Sequence, residues 1–156
     1  IDAAREEVDE ALGRRGDEFA RPLQRALRDL MSERCGVVRS EDGLRDGLEG
    51  LRELDERSRA LEVRPDIAGF ADLAHVFDLR GSLLAARATI ACALERRETR
   101  GAHNRADFPE QDPALRLNLT WTPEDEIARA PIAAPSAEVA ALAGGPEVEV
   151  AGRLLE

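Results

Sequence analysis

Lysine and tyrosine are absent from this 156-residue chain, and aromatic residues make up only 3% of it. Its 22 basic residues are therefore all arginine, and 32 acidic residues give a net charge of −10. So acidic a surface repels phosphate groups, which argues against nucleic acid or anionic lipid as partners. No apolar run approaches the roughly 18 residues needed to span a bilayer, so no direct membrane insertion is expected. The core must be aliphatic, which favours packed helices.

Cysteine is scarce as well, and the catalytic and nucleotide-binding motifs are missing. Cys35 and Cys92 have no CxxC partner, so neither a zinc site nor a disulfide framework is indicated, and we expect free, buried thiols in a cytoplasmic protein. No G-x-G-x-x-G, P-loop, G-x-S-x-G or H-E-x-x-H occurs. His75 lies among apolar residues without neighbours at metal-ligand spacing, so we expect a packed histidine and no metal.

Four segments before residue 98 have the apolar spacing of helices. They cover residues 2–12, about 18–35, a stretch that follows the N-cap Ser40, and 66–97. Phe19 begins the apolar face of the second, and Gly81 in the fourth indicates a bend or a close helix crossing. The fourth is apolar on more than one side, so it should be central. The expected fold is mainly α: an antiparallel, spectrin-like bundle of three long helices preceded by a short one.

The pattern changes after residue 110, which divides a helical domain (1–110) from a C-terminal arm (111–156). Alternating Leu115, Leu117, Leu119 and Trp121 predict a strand. Residues 122–146 have no periodicity and predict an extended, poorly ordered segment. The "EVEVAG" stretch at 147–152 predicts a second strand.

The stretch "RRETRGAHNRADFPE", residues 96–110, is rich in charged residues and holds one of the two histidines of the chain. Its arginines, Arg100 and Arg105, suit bidentate carboxylate binding, and His103 can exchange a proton near neutral pH. Glu98 and Asp107 can orient these groups. Residue types alone leave two interpretations open, a proton-transfer site and a set of structural ion pairs, and they favour the second.

Residues 95–113, "ERRETRGAHNRADFPEQDP", closely resemble a signature near the C-terminus of succinate dehydrogenase and fumarate reductase flavoprotein subunits. Two upstream stretches, "LQRALRDLMSERCGVVRSEDGL" and "FDLRGSLLAARATIACAL", resemble the helices that lead into it. The similarity covers about residues 15–122 in the order of the family. Such enzymes interconvert succinate and fumarate through FAD and exchange electrons with an iron–sulfur subunit or a quinone pathway.

The resemblance implies that FAD and substrate are bound by family domains that precede this one. The chain opens at Ile1 without an initiator methionine, and we expect it to be part of a longer cytoplasmic protein, its complex on the cytoplasmic face of a bacterial membrane. Alone it should bind no FAD and turn over no substrate. The five signature residues are then expected to dock this domain onto the flavin-binding domain of the same chain; they are Glu98, Arg100, His103, Arg105 and Asp107.

Two alternatives remain at this stage. L-aspartate oxidase resembles the same family, oxidises a four-carbon dicarboxylate with FAD and carries a related Arg-Gly signature. A free-standing helical interaction module, whose arginine-rich turn recognises an acidic peptide, is an alternative from another class.

Overall fold

The computed structural model describes residues 2–64, 70–133 and 136–143. Its helices are α1 (Asp2–Gly13), α2 (Ala20–Arg34), α3 (Glu41–Ser58), α4 (Phe70–Glu95) and α5 (Ala137–Ala143). Its strands are β1 (Val38–Arg39), β2 (Asn104–Arg105), β3 (Leu117–Trp121) and β4 (Ile127–Pro131). The prediction of a mainly helical protein with short strands is confirmed.

The core lies where α2, α3 and α4 pack against one another, and α1 packs onto α4. Helices α2, α3 and α4 each contribute an aliphatic stripe with a spacing of three and four residues. Burying one leucine side chain stabilises the fold by about 1.5–3 kcal/mol. The most deeply buried core side chains are Leu23, Leu44, Leu61, Val63, Leu79 and Ile90.

The N-terminus of α3 has the capping residue that the sequence predicts, whereas that of α2 does not follow the prediction. The Ser40 hydroxyl accepts a hydrogen bond from the Gly43 amide at 3.2 Å, so the predicted N-cap of α3 is confirmed. Phe19 is instead the N-cap of α2, and its side chain is 39% exposed, so its predicted place on the buried face is wrong. The predicted fourth helix ends at Glu95 rather than residue 97, and residues 66–69 lie outside the described ranges.

Gly81 was expected to mark a bend or a close helix crossing, but α4 is crossed closely at Gly47 of α3 and not at Gly81. A methyl group added at Gly81 has no atom within 4 Å, whereas one at Gly47 would lie 2.9 Å from Ile90 Cδ1. Gly81→Ala should therefore raise the free energy of unfolding by about 0.5–1 kcal/mol, because glycine weakens a helix interior. Urea denaturation measures this change. Gly47→Ala, which adds a methyl group at a crowded position, should instead lower the free energy of unfolding. Equal effects of the two substitutions would contradict the assignment.

The C-terminal arm is more regular than its sequence indicates. The predicted strand is confirmed as β3, which pairs antiparallel with β4 in the register Leu117↔Pro131 to Trp121↔Ile127. The expected lack of structure over 122–146 is therefore wrong for β4 and α5. Pairs of Arg87 with Asp125 and of Arg129 with Glu95 tie this hairpin to α4. The strand predicted at 147–152 lies outside the described residues.

The two cysteines and His75 lie in surroundings that do not activate them. Cys35 is buried, Cys92 is only half-buried, contrary to expectation, and both are free. Burial raises the pKa of both thiols, which makes them poor nucleophiles. His75 is half-buried on α4, and the described residues contain no cluster of metal-ligating side chains. None of the described helices is long and apolar enough to cross a membrane.

Candidate functional site: an arginine–carboxylate clasp

Residues 96–112, which we call the signature loop, connect α4 to the hairpin and are held together by hydrogen bonds within the loop. The Thr99 amide donates to the Glu110 carbonyl at 3.0 Å. Arg100 and His103 exchange two backbone hydrogen bonds of 2.8 and 3.0 Å around a tight turn. Gly101 in that turn has φ +57°, the left-handed region that glycine adopts without steric cost. The loop is thereby held as a compact unit over the ends of α3 and α4.

Arg105 is completely buried and caps the C-terminus of α4. Its Nη1 donates to the Ala93 carbonyl at 2.8 Å, where the helix leaves carbonyls without an amide partner. Nε and Nη2 make a bidentate pair with Asp107 at 2.7 and 2.8 Å. The guanidinium also lies 4.9 Å from the centre of the Phe108 ring. Every side of this buried cation is therefore compensated.

Asp107 extends the same pair to the N-terminus of α3. Its Oδ2 accepts the Glu41 amide at 2.8 Å, in the first turn of that helix. Hydrogen bonds from Arg105 and then from this amide hold the pKa of Asp107 well below its usual range, against the opposing effect of burial. The cation thus meets the negative end of α4 and the carboxylate meets the positive end of α3. The pair clasps two helix ends together.

Glu98 is the second fully buried charge and neutralises two arginines. Arg100 binds it through Nε at 2.9 Å and Nη2 at 2.8 Å, and Arg96 binds Oε1 at 2.5 Å. The Asp112 amide donates to Oε2 at 2.9 Å. Burial by itself raises the pKa of Glu98, but the hydrogen bonds from Arg100, Asp112 and Arg96 outweigh it and lower that pKa to about 2.

His103 is fixed as a neutral imidazole. Nδ1 lies 3.0 Å from Arg39 Nη1 and Nε2 lies 2.9 Å from the Arg96 carbonyl. A guanidinium only donates and a carbonyl only accepts, so the proton is on Nε2. Burial lowers the pKa of His103, and the positive charges of Arg39, Arg105 and Arg96 lower it further, against the hydrogen bond to the carbonyl. Both ring nitrogens are occupied.

This environment predicts that acid weakens the fold through His103. The folded pKa lies below the ordinary value of 6.5, so the unfolded chain binds more protons between these values. The contribution of His103 is complete above pH 6.5 and is lost as the pH falls through the lower folded pKa. The urea midpoint of the native chain should fall over this range, while that of His103→Gln should fall less. An unchanged slope in the variant would contradict this role.

The structure brings all five predicted residues together and adds residues that sequence reasoning did not assign. Arg39 binds His103 and also donates to the Gly36 carbonyl at 3.0 Å. Arg96 also donates to the Leu115 and Leu117 carbonyls, each at 2.7 Å, which fixes the start of β3. The signal for Arg39 was its place in "GVVRSEDGL", one of the stretches that carry the resemblance.

The geometry favours ion pairing over proton transfer. Carboxylates with lowered pKa values are weak bases, and the imidazole has no free nitrogen. The signature loop thus neutralises its own charges through two sets of ion pairs, Arg105 with Asp107 and Glu98 with Arg96 and Arg100, which we call the clasp. The role of the clasp in docking onto another domain stays a prediction. Fold and clasp together define a helical domain closed at one end by buried arginine–carboxylate pairs. The chain belongs to the fumarate reductase flavoprotein C-terminal family, whose model matches residues 24–138.

Curated relatives are much longer than this chain. It is 34% identical over 105 residues to an uncharacterized FAD-dependent oxidoreductase of Methanocaldococcus jannaschii, covering 67% of this chain and 19% of that protein. It is 34% identical over 99 residues to the succinate dehydrogenase flavoprotein subunit of Coxiella burnetii, covering 63% and 17%. It is 39% identical over 88 residues to the L-aspartate oxidase of Rhodospirillum rubrum, covering 56% and 26%.

Solved structures share the fold. The Mycobacterium smegmatis Sdh1 complex contains a chain with TM-score 0.69 and 26% identity, matched over 84% of this chain and 24% of that one. The Escherichia coli quinol fumarate reductase chain FrdA gives TM-score 0.77 over 86% of this chain and 24% of that one. At 21% identity the second match supports the fold alone.

Proposed function

We propose that this domain packs against the flavin-binding part of a longer FAD-dependent oxidoreductase that interconverts succinate and fumarate. The observation that carries the proposal is the family match over residues 24–138, which includes the whole signature loop. Relatives named as succinate dehydrogenase and fumarate reductase flavoprotein subunits support the reaction. An antiparallel arrangement of α2, α3 and α4, an iron–sulfur subunit as electron partner, and a place on the cytoplasmic face of a membrane belong to the same proposal.

The described residues of this chain do not fit FAD. Within them no strand leads through a glycine-rich turn into a helix, which is the arrangement that holds a pyrophosphate. The arginines of the clasp are already bound to carboxylates and carbonyls. FAD would therefore be held by another part of the longer protein, and no step of the reaction is assigned to this chain. We expect the chain alone to retain no flavin.

An exposed aliphatic patch beside the clasp supports docking there. Val37 and Val38 are 81% and 61% exposed although they are large apolar residues. Val38 lies opposite Asn104 in the β1–β2 pair, so the patch adjoins the exposed turn at Gly101 and Ala102. Because the clasp binds its own charges, this patch is the part of the region that gains most from contact with another surface. The signature would then act by holding the patch rigid.

In the whole protein, Val38→Asp should reduce the flavin bound per polypeptide severalfold, because a carboxylate placed at an apolar contact loses its hydration. The same substitution should leave the urea midpoint of the isolated chain nearly unchanged, since the side chain is exposed there. Visible flavin absorbance relative to protein measures the first effect. Val139→Asp, at an exposed valine on α5, is the matched control and should retain full flavin content.

Equal flavin content in the two variants would remove the patch from the contact. Arg100→Ala tests the clasp itself, since this arginine keeps a partly exposed edge while it binds Glu98. If the whole protein kept its flavin and activity after Arg100→Ala, the docking role of the signature would be wrong. Arg116→Ala, at an exposed arginine of the following turn, is its control.

The reaction is tested on the purified whole protein with an artificial electron-accepting dye. Succinate should reduce the dye and L-aspartate should not. The second candidate, L-aspartate oxidase, rests on the 39% identity to the Rhodospirillum rubrum protein. Turnover of L-aspartate without turnover of succinate would establish that candidate and overturn the first.

A further inference from the structure

Helix α2 carries three arginines in one exposed stripe. Arg21, Arg25 and Arg28 recur at i, i+4 and i+7, which aligns them on one side of the helix over about 10 Å. Among the residues that the structure describes, none of the three makes a hydrogen bond or an ion pair. Arg21 acts on Asp72 through space only, where its charge is a minor cause of a lowered pKa. We call these three residues the α2 stripe.

The contrast with α3 shows that unpaired arginines are not the rule in this chain. Two exposed arginines of α3 and the arginine at its C-cap each have a carboxylate partner on that helix: Arg45 with Glu41, Arg52 with Glu49 and Arg59 with Asp55. On α2, Asp29 stands four residues after Arg25, yet no pair forms between them. The chain has acids in excess, with a net charge of −10, yet none of the acids within residues 2–64, 70–133 and 136–143 forms an ion pair with the α2 stripe.

A shallow groove of about 610 Å³ runs beside the stripe, between α2 and α4. Its lining includes Arg28, the apolar side chains of Leu27 and Phe77, His75, and one acid, Asp78, on the α4 side. The Nδ1 atom of His75 is buried and has no hydrogen-bond partner among the described residues. An orphaned buried polar atom indicates a missing partner. The face thus combines a row of cations, an apolar floor and one unsatisfied nitrogen.

We propose that the α2 stripe binds an acidic amphipathic helix contributed by another polypeptide. Carboxylates at i, i+4 and i+7 of that helix match the spacing of the three arginines, and its apolar side covers the groove. A short helix fits better than an extended polyanion, because the cationic strip is only about 10 Å long and the rest of the chain is acidic. Asp29 and Glu33 on α2 also limit the cationic strip to a short length.

The test uses the whole protein and a labelled synthetic helical peptide that carries glutamate at i, i+4 and i+7 beside an apolar face. Fluorescence anisotropy measures its affinity. The triple substitution Arg21→Gln, Arg25→Gln and Arg28→Gln should weaken binding about tenfold, since three exposed ion pairs are lost. The matched triple substitution to glutamine at Arg45, Arg52 and Arg59, along α3 and at its C-cap, removes the same charge and should keep the affinity within about twofold. A peptide with glutamine in place of glutamate should bind as weakly as the α2 triple does.

Three outcomes would overturn the proposal. The first is that the native protein does not bind the glutamate peptide. The second is an equal loss of affinity in both triple variants, which would mean that only net charge matters. The third is preferential binding of the native protein to phosphatidylserine vesicles or duplex DNA, abolished by the α2 triple, which would assign the stripe to a different class of partner. Circular dichroism confirms that both triples are folded before binding is measured.

Discussion

Arg105→Ala is expected to lower the free energy of unfolding of this domain by about 3–5 kcal/mol, because it removes a completely buried cation together with its ion pair and its helix cap. Asp107 would lose its bidentate donor, and the Ala93 carbonyl at the end of α4 would lose its cap. The link between the ends of α3 and α4 would be broken at the same time. Urea denaturation followed by far-UV circular dichroism at neutral pH measures the effect.

Two further variants separate the position of Arg105 from its charge. Arg97→Ala removes an exposed arginine of the same loop and should change stability by no more than about 0.5 kcal/mol. Arg105→Lys keeps the charge but not the planar fork, so it cannot bind both oxygens of Asp107 and still cap α4. We expect it to recover only part of the loss. Full recovery by lysine would show that charge alone, without the paired geometry, accounts for the role of Arg105.

The helical part of this fold could be predicted from the sequence because the patterns that indicate helices are local. The leucines of α3 recur within one helix, and Ser40 caps a helix that starts at the next residue. Capping and apolar periodicity both act over three or four residues, so they survive without knowledge of the tertiary structure. The close crossing expected at Gly81 was wrong for the opposite reason. Whether a glycine lies at a close crossing depends on the neighbouring helix, which the sequence does not show.

The clasp could be predicted only in part, since some groups that bind its side chains are distant in the chain. The five predicted residues lie between 98 and 107, but Arg39 reaches His103 from 64 residues away. The Glu41 amide, which holds Asp107, is 66 residues away. Strand β4 escaped prediction because four of its five residues are exposed, so no buried alternation marks it. Non-local pairing and solvent-facing strands leave little trace in local sequence.

The second large effect is expected from Glu98→Ala, also about 3–5 kcal/mol, because two arginines would then share a largely buried site without an anion. Arg96 and Arg100 would both lose their carboxylate partner, and the Asp112 amide would lose its acceptor. Glu98→Gln retains the volume and one acceptor oxygen, so its loss should be smaller, about 1.5–3 kcal/mol. Glu110→Ala, at an exposed acid of the same loop, is the matched control. Urea denaturation at neutral pH ranks the three.

Acid titration distinguishes a role of the Glu98 charge from a role of its shape. Because the folded pKa of Glu98 is lowered to about 2 from an ordinary 4.5, the carboxylate stabilises the native chain above pH 4.5 and this contribution is lost as the pH falls towards 2. Glu98→Gln carries no charge to lose, so its free energy of unfolding should vary less than that of the native chain over this interval. If the two dependences were equal, the acid sensitivity would come from the other carboxylates with lowered pKa values, which include Asp107, Glu41 and Asp72. The difference between the native chain and Glu98→Gln therefore isolates the contribution of the Glu98 charge.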